Sequence, residues 1–139
     1  MKSIVIDNNV LFSLMSPSSI SSYLFSSINL KFIAPEFIKE ELEEHKGECL
    51  LKSKLSEEEF NIRKEEIFQS ITFFPVSEYK QHLKAALSLI SDPDDIDFLA
   101  LALSKNADIW SNDSHLSEQS TVKVFTTQDL LAFFLKGDI

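Results

Sequence analysis

Glycine is nearly missing from this 139-residue chain, which carries only Gly47 and Gly137. Phosphate-cradling loops of the Walker and dinucleotide kinds need several glycines close together, so both are excluded. Cysteine is scarcer still. The lone Cys49 allows no internal disulfide, which favours a reducing compartment, and a cytoplasmic location is expected. Long apolar runs are also absent. Ile4-Val5-Ile6 is too short for the core of a secretory signal and is followed at once by Asp7. Nothing approaches the ~20 apolar residues of a membrane span.

Positive charge is in short supply as well: 13 Lys and Arg stand against 22 Asp and Glu, for a net charge of −9. Phosphate contacts need cations, so the balance argues on its face against a nucleic-acid partner. That exclusion weakens if bound metal neutralises some of the acids and bridges to phosphate itself. Lys31, Lys39, Lys46, Lys52, Lys54, Arg63 and Lys64 fall in the first half and form either a local basic patch or an ordinary mixed surface.

What is present suits a globular protein. Hydrophobic residues make up 44% and charged residues 25%, and the length suits one domain spanning residues 1–139. Ser3–Ile6, Leu30–Ala34, Thr72–Val76, Ala107–Trp110 and Val122–Phe125 read as short strands. Helical patterns lie between them. One runs from Val10, breaks at Pro17 and resumes at Ile20. Pro35 suits the first turn of the next, with Phe37, Ile38, Glu41 and Leu42 on its inner side. Ser56 with Glu59 predicts a capping box and a helix starting near Leu55, with Phe60, Ile67 and Ile71 on one face. Ser77 is expected to cap a helix to about Ile90. Asp95–Lys105 reads as a buried helix, and Thr126 caps a last one through about Leu135. Strands alternating with helices imply βαβ crossovers. The expected fold is therefore α/β, a three-layer arrangement with a mostly parallel central sheet of four to five short strands and helices on both faces.

Four acidic stretches stand at the edges of these apolar runs: Asp7, Glu40-Glu41, the cluster Asp92-Pro93-Asp94-Asp95-Ile96-Asp97, and Asp113. Asp7 and Asp113 each follow a strand, so both belong at the carboxyl edge of a parallel sheet, where ligands gather. Asp95 heads the buried helix, and Glu41 lies in the helix after the second strand. Carboxylates brought together beside a core repel one another unless a cation shares the site. Hard divalent ions such as Mg²⁺ and Mn²⁺ prefer such oxygen donors.

Ile6-Asp7-Asn8-Asn9-Val10, Pro35 through Leu42, Asp95 with Ile96 to Leu103, and Ile109-Trp110-Ser111-Asn112-Asp113 together resemble the PIN-domain family, the metal-dependent ribonucleases that include the VapC toxins. The likeness covers nearly the whole chain; Asn8 stands where the family's first motif has threonine. It implies that Asp7, Glu41, Asp95 and Asp113 hold one or two Mg²⁺ or Mn²⁺ ions, with Glu41 preferred to Glu40. Asn9 and Ser111 are expected to hold the aspartates by hydrogen bonds, with Asp97 as a nearby second acid. The implied activity is hydrolysis of RNA phosphodiester bonds through a carboxylate-held metal and an activated water, leaving a 5′-phosphate and a 3′-hydroxyl. The implied partners are an RNA substrate, a small antitoxin protein and a second copy in a homodimer. The alternative is a catalytically silent PIN-like module that binds RNA or protein.

Other chemistry fits less well. Haloacid-dehalogenase-like phosphatases need a second aspartate where this chain has Asn9, and no aspartate and late lysine suit a receiver domain. Asp92 and Asp94 read as turn and cap residues. His115 reads as a surface histidine beside Asp113, with a ligand role as the sharper alternative. His45 and His82 read as exposed and Cys49 as structural. Phe12, Phe32 and Phe37 read first as core and otherwise as a partner or dimer surface.

Overall fold

The first strand, β1 (Ser3–Ile6), has three fully buried residues in a row. A strand covered on both faces reads in this way. The computed structural model describes residues 2–139. After β1 come α1 (Asn8–Leu14), α2 (Ile20–Ser27), β2 (Lys31–Pro35), α3 (Ile38–Glu44), α4 (Lys46–Ser53), α5 (Glu57–Gln69) and β3 (Ile71–Phe74). Two one-turn 3₁₀ segments, Val76–Glu78 and Lys80–His82, lead into α6 (Leu83–Leu89). A third, Pro93–Asp95, leads into α7 (Ile96–Lys105). The chain closes with β4 (Asp108–Trp110), a 3₁₀ turn, β5 (Val124–Phe125) and α8 (Thr127–Leu135).

All five strands are parallel, in the order β3-β2-β1-β4-β5. From β1 the chain steps outward to β2 and β3, then returns to the other side of β1 as β4. Right-handed crossovers running in opposite directions place their helices on opposite faces of the sheet. α7, apolar from Phe98 to Ala102, packs on β1, β2 and β4, while α2 meets α8. The α/β layering and the parallel sheet agree with the reading from sequence. The reversal of strand order falls between β1 and β4, the kind of crevice in which open α/β sheets bind ligands.

Local chemistry sets the boundaries. Ser56 and Glu59 form the reciprocal capping box that starts α5, and Thr126 with Asp129 does the same for α8. Asn106 ends α7 in the left-handed region at φ 51°, and the Ala107 N–H donates to the Ala102 carbonyl as the chain turns directly into β4.

Several expectations need correction. Pro35 is the buried last residue of β2, paired with Phe74, rather than the first turn of a helix. Its ring occupies a strand end, where the missing N–H costs no interior ladder bond. Ile71 opens β3 instead of extending the face of α5. Ser77 lies inside a 3₁₀ turn, and α6 begins only at Leu83. α4 was hidden by its dense charge. Phe32 is buried, in keeping with its first reading as core, and Phe12 and Phe37 are half-buried.

Candidate active site

The pairing of Ile6 with Trp110 puts the ends of β1 and β4 side by side. Asp7 and Ser111, the next residues, therefore meet at the carboxyl edge of the sheet. Asp7 is 2% exposed. As N-cap of α1, its Oδ1 accepts the Val10 N–H at 2.9 Å, and its Oδ2 accepts the Ser111 hydroxyl. The Ser111 oxygen in turn accepts the Asp113 N–H at 3.0 Å. Asp113 is half-buried, and its Oδ1 accepts the His115 N–H.

Asp95 reaches the same place from α7. It occupies the N-cap position yet makes no capping bond, and its Oδ2 is buried without a hydrogen-bond partner. Burial pushes Asp7 up to about 6; the Ser111 and Val10 bonds oppose the rise, and the charge of Asp113 adds to it. Asp95 is also pushed up to about 6, by burial first and then by the charges of Asp113, Asp92 and Asp7, while His115 acts in the opposite direction. Each acid thus feels the others. A buried carboxylate oxygen with no donor, surrounded by like charge, is an electrostatic cost within the protein alone. An oxygen-preferring divalent cation relieves that cost, so the residues present fit Mg²⁺ or Mn²⁺.

Glu41 and Asp97 lie on an adjoining cavity of about 380 Å³, with Asn8, Phe37, Tyr79 and Asp94. Glu41 is half-buried there, while Glu40 is exposed. Glu41 does not enter the charges that raise Asp7 or Asp95; its ligand atoms lie within 4.8 Å of those of Glu44 and His45. Oδ2 of Asp97 accepts the Tyr79 hydroxyl at 2.6 Å. The fold thus links Asp7, Ser111 and Asp113 by hydrogen bonds and brings Asp95 near enough to feel both acids, with Asp92 and His115 within ligand distance of Asp95 and with Glu41 and Asp97 on the cavity wall beside them.

Two placements differ from expectation. The side chain of Asn9 holds no aspartate among the described residues. It is exposed, and its backbone N–H is the group that faces Asp7. His45 is half-buried and stacked on Phe12 rather than free. Among the first-half cations, Lys46, Lys64 and Arg63 pair with Glu57, Glu43 and Glu66, and Lys39 sits over Phe73, which accords with the mixed-surface reading. Asp92 caps its own turn, accepting from the Asp94 N–H at 3.0 Å. His115 is exposed, with Nδ1 3.3 Å from Asp113 and 3.5 Å from Asp92. Tyr79 was not foreseen, because one ring within the polar stretch from Ser77 to His82 carries no signal of its own.

A family model described as PIN domain matches residues 5–133. This chain belongs to the PIN-domain family. The match takes in all four acidic stretches of the PIN resemblance and every strand but the first two residues of β1. Among solved structures, the crystal structure of VapBC2 from Rickettsia felis bound to a DNA fragment from their promoter is similar to it. The likeness has 14% identity and a TM-score of 0.59, and covers 89% of this chain and 98% of that one. At that identity the likeness bears on the PIN fold alone. No curated protein matches this PIN domain in sequence. Among the described residues, no helix is long and apolar enough to cross a membrane.

Proposed function

We propose that this PIN-domain chain is a divalent-metal-dependent endoribonuclease, the toxin of a toxin–antitoxin pair, built as one domain over residues 1–139. The observation that carries the reading is the buried, unpartnered Oδ2 of Asp95 beside Asp7 and Asp113. Asp7, Asp95 and Asp113 would hold Mg²⁺ or Mn²⁺, with Glu41 contributing from the cavity wall. When bound, such an ion supplies an activated water near neutral pH and positive charge for the phosphate and leaving oxygen.

The chain's own residues do the positioning. Ser111 fixes the rotamer of Asp7 and, through the Asp113 N–H, the start of the loop carrying Asp113. The Val10 N–H holds the other oxygen of Asp7 at the head of α1, where the helix dipole favours negative charge. The apolar α7 behind Asp95 keeps water from one side of the site. A cation there also answers the objection raised by the net charge of −9, since it supplies the positive charge that an RNA phosphate meets.

A small antitoxin, a homodimeric state and a cytoplasmic location belong to the same proposal. They rest on the family resemblance, with the VapBC2 assembly as the structural analogue for a partner chain. The test is RNA cleavage by the purified chain with Mn²⁺ or Mg²⁺, compared with Asp7→Asn. The proposal predicts ion-dependent cleavage that is lost in the variant. No cleavage with either ion, or cleavage indifferent to Asp7→Asn, overturns it in favour of a silent binding module.

A further inference from the structure

We infer that Tyr79 is a positioning residue of the proposed metal site, fixing Asp97 on the wall that Asp97 shares with Glu41 and Asn8. The inference rests on the function proposed above and extends it to a residue on a different segment of the chain. Tyr79 is 2% exposed. Its hydroxyl makes one side-chain bond, 2.6 Å long, to Oδ2 of Asp97. A phenol keeps its proton near neutral pH, so the bond runs from phenol to carboxylate.

The segment that carries Tyr79 is itself anchored. Tyr79 lies between the two 3₁₀ turns, its N–H donating to Val76 and its carbonyl accepting from His82. The preceding residue, Glu78, is tied to the last turn of α7: its carbonyl accepts the Ser104 hydroxyl at 3.0 Å, and its carboxylate lies 3.9 Å from Lys105. Tyr79 reaches the first turn of the same helix. Held near both ends of α7, the segment presents the phenol to Asp97. A half-buried aspartate in a helix's first turn otherwise rotates freely between solvent and cavity. Here one oxygen is held, and Oδ1 has no protein partner among the described residues. A carboxylate with one oxygen fixed by a neutral donor, on the wall of a cavity that Glu41 also lines, is preorganised to receive a cation or its water.

A plain structural staple between the 3₁₀ segment and α7 would make the same hydrogen bond, so the test must separate the two roles. The full chain is compared as wild type, Tyr79→Phe, Asp97→Asn and the double variant, by Mn²⁺ calorimetry and by RNA cleavage. Tyr79→Phe keeps the ring and removes only the donor. Loss of a group that orients a metal-site carboxylate weakens metal binding by about tenfold or more. Each single variant should show that loss with KM for RNA unchanged, and the double variant should be no worse than Asp97→Asn. Tyr79→Phe binding Mn²⁺ like wild type, or losses that multiply in the double variant, would overturn the inference.

A second measurement needs no variant. Tyr23 and Tyr79 are the only tyrosines, so ring-labelled tyrosine gives two NMR signals. Adding Mg²⁺ should shift the Tyr79 signal and leave Tyr23, on α2, in place; an unmoved Tyr79 under saturating Mg²⁺ contradicts the assignment. Ion binding and NMR are read without catalysis. A chain that passes both yet cleaves no RNA would contradict the proposed nuclease and leave Tyr79 in its role.

Discussion

The Ser111 hydroxyl donates to Oδ2 of Asp7, 104 positions away in the chain, while its oxygen accepts the Asp113 N–H. One small side chain thus links the ends of two neighbouring strands and orients an acid on each. Ser111 is fully buried, so no water replaces it when it is removed. Ser111→Ala should weaken Mn²⁺ binding by about 10–100-fold and lower stability by about 1–3 kcal/mol. Calorimetry and denaturant unfolding read the two effects separately.

The raised acids set a pH dependence for the metal-free protein. Asp95 titrates near 6 in the folded chain, against an ordinary aspartate value of 3.8. Between those values the folded state binds more protons than the unfolded state, so its contribution to stability is present below about pH 4 and lost as pH rises through about 6. The loss is at most roughly 3 kcal/mol for a shift of this size, reduced by solvent screening on the open side of the site. Metal-free wild type should therefore lose stability relative to Asp95→Asn across that window, and the variant should melt higher than wild type at pH 7.5. A variant that melts lower at pH 7.5 would show that the Asp95 carboxylate is stabilising without metal.

Metal should reverse that order. A ligand that binds only the folded state adds about 2.7 kcal/mol when its free concentration is a hundredfold above Kd. Mn²⁺ should raise the melting temperature of wild type by several degrees and that of Asp95→Asn by much less, as a thermal shift titration would read.

Glu41 and Glu40 give a contrast within one helix. Glu41 lines the cavity with Asp97, and Glu40 faces solvent. Glu41→Gln should lower RNA cleavage by about tenfold or more, and Glu40→Gln should leave it near wild type. Equal losses would remove Glu41 from the site.

Much of this arrangement was legible because local rules agreed with the global fold. Buried runs such as Ile4-Val5-Ile6, the boxes at Ser56 and Thr126, and acids directly after strands each carry a short-range signal. Pro35 was misread because a strand end and a helix start both tolerate a missing N–H. α4 was missed because Lys46–Ser53 is charged and short, and buries only Cys49. The Tyr79–Asp97 bond spans 18 residues and two irregular turns, and no spacing rule reports such a pair. The reach of Asp7 to Ser111 was available only through the resemblance, since sequence places both at a sheet edge without saying that their strands are neighbours.

The most direct test of the central claim, that Asp7, Asp95 and Asp113 form one cation site, is a Mn²⁺-soaked crystal measured at the manganese absorption edge. An anomalous peak bounded by the Asp7, Asp95 and Asp113 carboxylates is the predicted result. A strong peak elsewhere, with none between those three residues, would contradict it.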